Sequence, residues 1–201
     1  YYEMIVSGPD AVIEWSTLVD RLTVQETRFF RDPDAFQLVS DYVLTRPRET
    51  LKRRPLEAWS VGCSTGEEPY TLAMLLNECM EGLSLQPLFG VTGSDISKPA
   101  IDKAQSGLFS ARKLMGMNDA MKARYFRPAE RNNVEIVESI RERVCFTRLN
   151  VLDLKHAPMH GMNIIFCQNL LIYFRRWRRR EIVKRLAERL APGGLLVLGQ
   201  G

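Results

Sequence analysis

The sequence predicts an α/β fold: a mostly parallel sheet with helices on both faces, a helical N-terminal segment and a small inserted β subdomain. Two observations carry this. Short apolar runs alternate with amphipathic stretches, the pattern of parallel strands joined by helices. Distinctive polar residues and a glycine loop sit at the ends of four of those runs, where such sheets bind ligands.

The first run, Ala58 to Val61, enters the loop Gly62-Cys63-Ser64-Thr65-Gly66. A helix is expected from about Glu67 to Met80, with Pro69 in its first turn, where proline is tolerated. Leu72, Leu75, Leu76 and Cys79 share its apolar face. A second strand covers about Leu88 to Thr92 and leads to Ser94-Asp95. Ser97 reads as the N-cap of a helix ending near Gly107. Third and fourth strands cover Val144 to Leu149, ending at Asn150, and Asn163 to Cys167. A helix over Arg178 to Leu190, with Ile182, Val183, Leu186 and Leu190 on one face, is expected to stop at Pro192-Gly193-Gly194. A fifth strand follows at Leu195 to Leu198. Residues 1 to about 50 read as a helical domain and linker, with Val12, Trp15, Leu18, Val19 and Leu22 at helical spacing. Residues 51–201 read as the main domain, interrupted over about 108–143, where Val134 to Val137 alternates like a strand.

The chain has 201 residues, 45% of them hydrophobic and 26% charged, which suits a folded domain with a real core. No apolar run approaches the roughly 18 residues a membrane span needs, and no signal peptide opens the sequence. Cys63, Cys79, Cys145 and Cys167 form no CxxC pair and no zinc pattern, and read as reduced thiols. His156 and His160 are four apart, but Pro158 between them argues against a helical metal pair, so no metal site is expected. The net charge is +4. Much of it lies in Arg175-Arg176-Trp177-Arg178-Arg179-Arg180, which reads either as a solvated helix start or as an anionic docking patch. The positive end of a helix dipole is an unusual place for so many arginines.

Four segments carry chemistry. Gly62 and Gly66 supply a turn that a nucleoside cofactor could approach, with a helix N-terminus beyond it. The pattern is not GxGxxG, which weakens a dinucleotide reading. Asp95, at the end of the second strand, can accept ribose hydroxyls or cap the next helix. Ser97 can provide that cap, leaving Asp95 for a ligand. After the fourth strand, Asn169 can bond a cofactor and Tyr173 an acceptor, or both can be ordinary loop residues. The segment lacks the Pro-Pro expected of an adenine amino-methyltransferase. In Leu22 to Asp32, Phe29 and Phe30 can pack on the core and so turn Thr27 and Arg31 toward a pocket.

Together, Thr27-Arg28-Phe29-Phe30-Arg31, Trp59 to Tyr70, Ser94-Asp95-Ile96-Ser97 and Phe166 to Phe174 resemble, in order, the signatures of the CheR family of chemoreceptor glutamate methyltransferases. The likeness runs from about Leu22 to the end, and the type IV pilus chemosensory branch is one home it would fit. It implies a Rossmann-like class I methyltransferase fold using S-adenosylmethionine (SAM) and releasing S-adenosylhomocysteine (SAH). That fold continues for two more strands, so the main domain reads as stopping after its fifth strand. Position by position, the resemblance implies cofactor contacts from Gln25, Thr27, Arg31, Gly62, Glu68, Asp95, Asn150, Val151, Asn169 and Leu170. Arg31 and Tyr173 would face the transferred methyl group and its acceptor. Gln25 stands where asparagine is common, Gln168 replaces a usual arginine and Asn163 a usual aspartate.

The implied partner is the cytoplasmic domain of a methyl-accepting chemoreceptor, with no nucleic acid and no membrane insertion, in the cytoplasm. Tyr125-Phe126 is followed by Arg127 to Asn133 without glycine, which resembles members that need no receptor tether peptide. A methyltransferase for another acceptor and a non-catalytic SAM-sensing domain are the alternative readings. Gln168 and Gln25 favour the sensor; Arg31, Tyr173 and Asp95 argue against it.

Overall fold

The computed structural model describes residues 27–199 and Leu18, which is helical. The remainder of the expected helical stripe from Val12 to Leu22, and Gln25, lie outside the described residues.

Five strands form one parallel sheet: β1 (Leu56–Val61), β2 (Phe89–Asp95), β6 (Val144–Arg148), β7 (Met162–Cys167) and β8 (Leu190–Leu198), in the order β6-β2-β1-β7-β8. Strand β1 is central. The chain winds outward through β2 and β6, then crosses back to β7 and β8, so the switch point lies between β1 and β7. Strands covered on both faces carry apolar residues at nearly every position. Ala58, Ile164 and Phe166 face one core, shared with α1 (Pro33–Leu44) and α3 (Glu67–Gly82). Trp59, Val61, Ile165 and Cys167 face the other, under α7 (Arg176–Ala187) and the 3-10 turn Val151–His156. A short helix, α2 (Arg48–Arg53), leads into β1.

Helix α4 (Lys98–Ser106) follows β2, and Ser97 caps it as expected, its Oγ accepting from the Ala100 N–H at 3.3 Å. The interrupted stretch forms a second sheet of three antiparallel strands, β3 (Leu108–Ser110), β5 (Asn133–Ile136) and β4 (Phe126–Ala129), in the order β3-β5-β4. Between β3 and β4 lie a 3-10 turn (Ala111–Leu114) and α5 (Asp119–Tyr125), and α6 (Glu138–Arg141) returns the chain to β6. The small sheet shares the main core: Phe109, Phe126 and Ile136 are buried in the same cluster as Tyr70, Leu72 and Met74 of α3.

One expectation is corrected. Pro192-Gly193-Gly194 does not stop a helix. Helix α7 ends at Ala187, and the three residues lie inside β8, in a bulge between the Met162↔Leu190 and Ile164↔Leu195 pairs. Glycine is needed there for two reasons. Gly193 has φ +71°, and a Cβ on Gly194 would lie 3.0 Å from the carbonyl oxygens of Ala191 and Met162. The bulge meets α1, where the Tyr42 hydroxyl donates to the Gly193 carbonyl at 3.2 Å.

Candidate functional site

A cavity of about 430 Å³ opens at the carboxyl ends of the central strands, at the switch point between β1 and β7. Every described residue of the expected site lines it: Thr27, Arg31, Gly62, Glu68, Asp95, Asn150, Val151, Asn169, Leu170 and Tyr173.

The first wall is the turn after β1. The N–H groups of Gly62 and Cys63 both donate to the Ser94 carbonyl, at 2.8 and 2.9 Å, which straps the turn to β2. Gly62 has φ +78°, and a Cβ there would meet the Leu170 side chain at 3.1 Å. Gly66 serves a different purpose from ligand approach. Its φ is +98°, and a Cβ would sit 2.7 Å from that of Ala104, so this glycine lets α3 and α4 come together.

Asp95 differs from the expectation. Ser97 caps α4, yet Asp95 is not thereby released. Its Oδ2 accepts from the Ser64 N–H at 2.8 Å and its Oδ1 from the Ser97 N–H at 3.0 Å. The carboxylate fixes the loop while lining the cavity, and each oxygen keeps a second lone pair for a ligand hydroxyl. Asn150 is also doubly used, its Oδ1 accepting from Leu152 N–H at 2.9 Å and leaving its amide NH₂ to donate. Asn169 follows β7 with φ +53°, a left-handed conformation that asparagine tolerates better than most residues.

The second wall comes from the segment ahead of α1. Phe29 is buried edge-to-face between Phe109 and Phe126 of the small sheet, at 5.0 and 5.1 Å between ring centroids. Phe30 packs on Phe36, which stacks on Phe166 of β7 at 4.9 Å. These rings act as the sequence suggests, turning Thr27, Arg28 and Arg31 to the cavity. Lys113, from the 3-10 turn of the insertion, adds a strut unseen in the sequence. Its ammonium donates to the Thr27 carbonyl and forms an ion pair at 3.0 Å with the buried carboxylate of Glu67.

Glu68 is the electrostatic outlier. Its accessible surface faces the enclosed cavity, and desolvation pushes its carboxyl up to about 8. The Ser60 hydroxyl, donating at 2.7 Å, and the Arg31 guanidinium oppose that rise. Burial, then the charges of Asp95 and Glu68, holds the Cys63 thiol well above its ordinary value; burial and Glu68 push Cys167 up to about 12. Both therefore stay thiols rather than nucleophiles at neutral pH. All four cysteines are free, and Cys145 is exposed. No group of three or more His, Cys, Asp or Glu side chains among the described residues could hold a metal.

Sequence reasoning missed several lining residues: Arg28, Ile96, Leu149, Ile172 and Phe174. Ile96 had a signal, since it directly follows the carboxylate at a strand end. Two of the three departures from the family pattern lie in the described residues and have structural partners. Asn163 Oδ1 accepts from the Glu57 N–H at 2.9 Å, and Gln168 is buried beside Gly199.

A parallel sheet, a cavity at its switch point, a strapped glycine turn and a carboxylate closing the second strand define a Rossmann-like domain built for a nucleoside cofactor. A family model described as CheR methyltransferase, SAM binding domain, matches residues 25–201. The chain is 35% identical over 190 residues to chemotaxis protein methyltransferase 2 of Vibrio cholerae serotype O1, covering 92% of this chain and 65% of that one. It is 33% identical to chemotaxis protein methyltransferase 2 of Pseudomonas aeruginosa, covering 92% and 66%, and 27% identical to the chemotaxis protein methyltransferase of Borreliella burgdorferi, covering 93% and 67%. The chain belongs to the CheR methyltransferase family. It spans about two thirds of the length of these relatives.

SAM is the cofactor of this family's domain, and the residues present fit it. The cavity volume falls in the range of about 300–1,000 Å³ typical of small-molecule sites. Its donor set pairs a carboxylate with spare acceptor capacity, two asparagines and an apolar lining.

Proposed function

We propose that the protein transfers a methyl group from SAM to glutamate side chains on the cytoplasmic domain of a methyl-accepting chemoreceptor, in the cytoplasm, giving methyl esters and SAH. The observation that supports this reading best is the joining of Arg31 and Tyr173 to Asp95, Asn150 and Asn169 around one cavity, in a chain of the CheR family.

Asp95 would accept the ribose hydroxyls of the cofactor. Ile96, Leu149 and Val151 offer apolar surface for its purine. Thr27, Glu68, Asn169 and Leu170 would hold the remainder, with Gln25 from outside the described residues. SAM supplies a methyl group on a positively charged sulfur. The acceptor needs no general base, because a glutamate with a reference pKa of about 4.3 is ionised at neutral pH. The protein's task is alignment and exclusion of water. Arg31 would orient the acceptor carboxylate by a charge-assisted contact, and Tyr173 would donate to it or shape its entry. The Arg31 contact must stay modest, since binding the carboxylate more strongly than the transition state slows attack. The connection between β4 and β5 is a tight three-residue turn, Glu130 to Asn132, with left-handed backbone at Arg131 and Asn132. This short turn supports the reading that no receptor tether peptide is needed.

The test is transfer of labelled methyl from SAM to receptor-containing membranes by the full-length protein, followed by mild alkali. Label released as volatile methanol identifies a carboxyl methyl ester. Alkali-stable label, or none with SAM bound and a cognate receptor present, overturns the reading.

A further inference from the structure

We infer that the exposed arginine and aromatic face at the start of α7 is a docking surface for an acidic protein segment that carries the acceptor carboxylate. The inference rests on the glutamate-acceptor reading above.

Three observations carry it. The first is uncompensated charge. Of the five arginines from Arg175 to Arg180, Arg178 pairs with Glu181 at 2.7 Å, and Arg179 Nε donates to the Phe174 carbonyl at 2.8 Å. Arg175, Arg176 and Arg180 are exposed, and none forms an ion pair among the described residues. The second is their position. Helix α7 has no side-chain cap and no acidic residue in its first turn, so Arg175 and Arg176 sit at the positive end of its dipole, with Arg180 one turn further on the same side as Arg176. That arrangement is unfavourable alone and is relieved by an anionic partner. The third is continuity with the site. Ile172 and Tyr173 line the cavity, and Tyr173 is still 61% exposed. One turn on, Trp177 is 59% exposed, with the Arg178 guanidinium 4.2 Å from its ring centroid. The Arg179–Phe174 bond locks this helix to the cavity rim.

The composition specifies the occupant. Exposed tryptophan, tyrosine and arginine are the residues enriched at protein–protein hot spots. Guanidinium groups favour carboxylates through paired hydrogen bonds. The occupant must also place a carboxylate at Tyr173 while the arginines hold its neighbours, so a segment with several carboxylates near the acceptor fits. Each methyl ester formed removes one negative charge, so the surface holds the unmodified segment more tightly than the product.

The experiment measures methylation of a soluble, lipid-free receptor cytoplasmic fragment by the full-length protein. The variants are R175E/R176E/R180E and, separately, Trp177→Ala. Reversing three rim charges predicts a KM for the fragment raised at least about threefold. The affinity for SAH should be unchanged, the melting temperature no lower, since carboxylates suit a helix N-terminus better than guanidinium groups, and the salt dependence of KM flattened. Trp177→Ala should raise KM in the same direction with salt dependence retained. A wild-type KM in the triple variant overturns the inference. So does a triple variant impaired only when anionic phosphatidylglycerol vesicles are present, which would assign the face to a lipid surface. Failure of the wild type to form any ester overturns instead the glutamate-acceptor reading.

Discussion

Glu68 and Arg31 face one another in the cavity and make opposite demands. The pocket that raises Glu68 to about 8 keeps it largely protonated at neutral pH, while Arg31 pulls toward the ion. The folded protein thus binds this proton between the unfolded value of about 4.3 and the raised one. The stabilisation is complete below the unfolded value and is lost as pH rises through about 8. Without cofactor, the melting temperature should therefore fall between pH 5 and 9 by an amount that Glu68→Gln removes, as thermal melts across that range would show. An equal pH slope in Glu68→Gln would assign it to other groups. On the proposed reading Arg31 contacts the acceptor, so Arg31→Ala should lower kcat by about a hundredfold while changing SAM affinity less than about threefold. Turnover assays beside calorimetric titration check this; equal loss in both would make Arg31 a cofactor-binding residue only.

At the scale of elements, short-range signals were legible and long-range polar partnerships were not. The strand ends, the Ser97 cap and the rings of Phe29 and Phe30 follow from local pattern, because periodicity and capping act within a turn or two. The Lys113 strut joins residues 46 and 86 positions apart, and no local rule links them. Buried Arg189 is similar. Just beyond α7, its guanidinium donates to the carbonyls of Leu154, Ala157 and Met159 in the crossover to β7. A charged residue in the last turn of an expected helix, as Arg189 is in the Arg178 to Leu190 reading, reads in sequence as a solvated one. Arg189→Met should cost about 3 kcal/mol, because several carbonyls lose a charged donor in a site closed to water. Denaturant titration measures it, and a loss below about 0.5 kcal/mol would show that water replaces the guanidinium. The bulge of β8 was misread for a related reason: Pro-Gly-Gly signals a break in any element, and only distant partners, the pairing with β7 on either side and the contacts of Tyr42 and Arg46 with the Gly193 carbonyl, make it a bend in a strand.

Over the whole molecule, the cavity joins segments far apart in the described chain: the segment before α1, the ends of β1 and β2, the residues after β6, and the loop after β7. A ligand spanning these parts should stabilise them together. In the full-length protein, SAH at a hundredfold excess over its Kd should add about 2.7 kcal/mol and raise the melting temperature by about 5–10 °C. Scanning calorimetry reads the shift, and its absence at saturating SAH would mean the cavity is not the binding site.

The central position of β1 also has a consequence in time. Its neighbour β2 follows soon after it in the chain, but β7 is made about 100 residues later, and so is the core under α7 that covers Trp59 and Val61. At about 5–20 residues per second, a ribosome takes on the order of 5–20 s to deliver that cover. Through that interval one face of the central strand is open, and stalled nascent chains ending before β7 should be cleaved by protease near Trp59, whereas chains extended well past β8 should resist. The same topology that sets the ligand cavity at a switch point thus makes the emerging protein dependent, for seconds, on whatever shields hydrophobic surface at the ribosome exit.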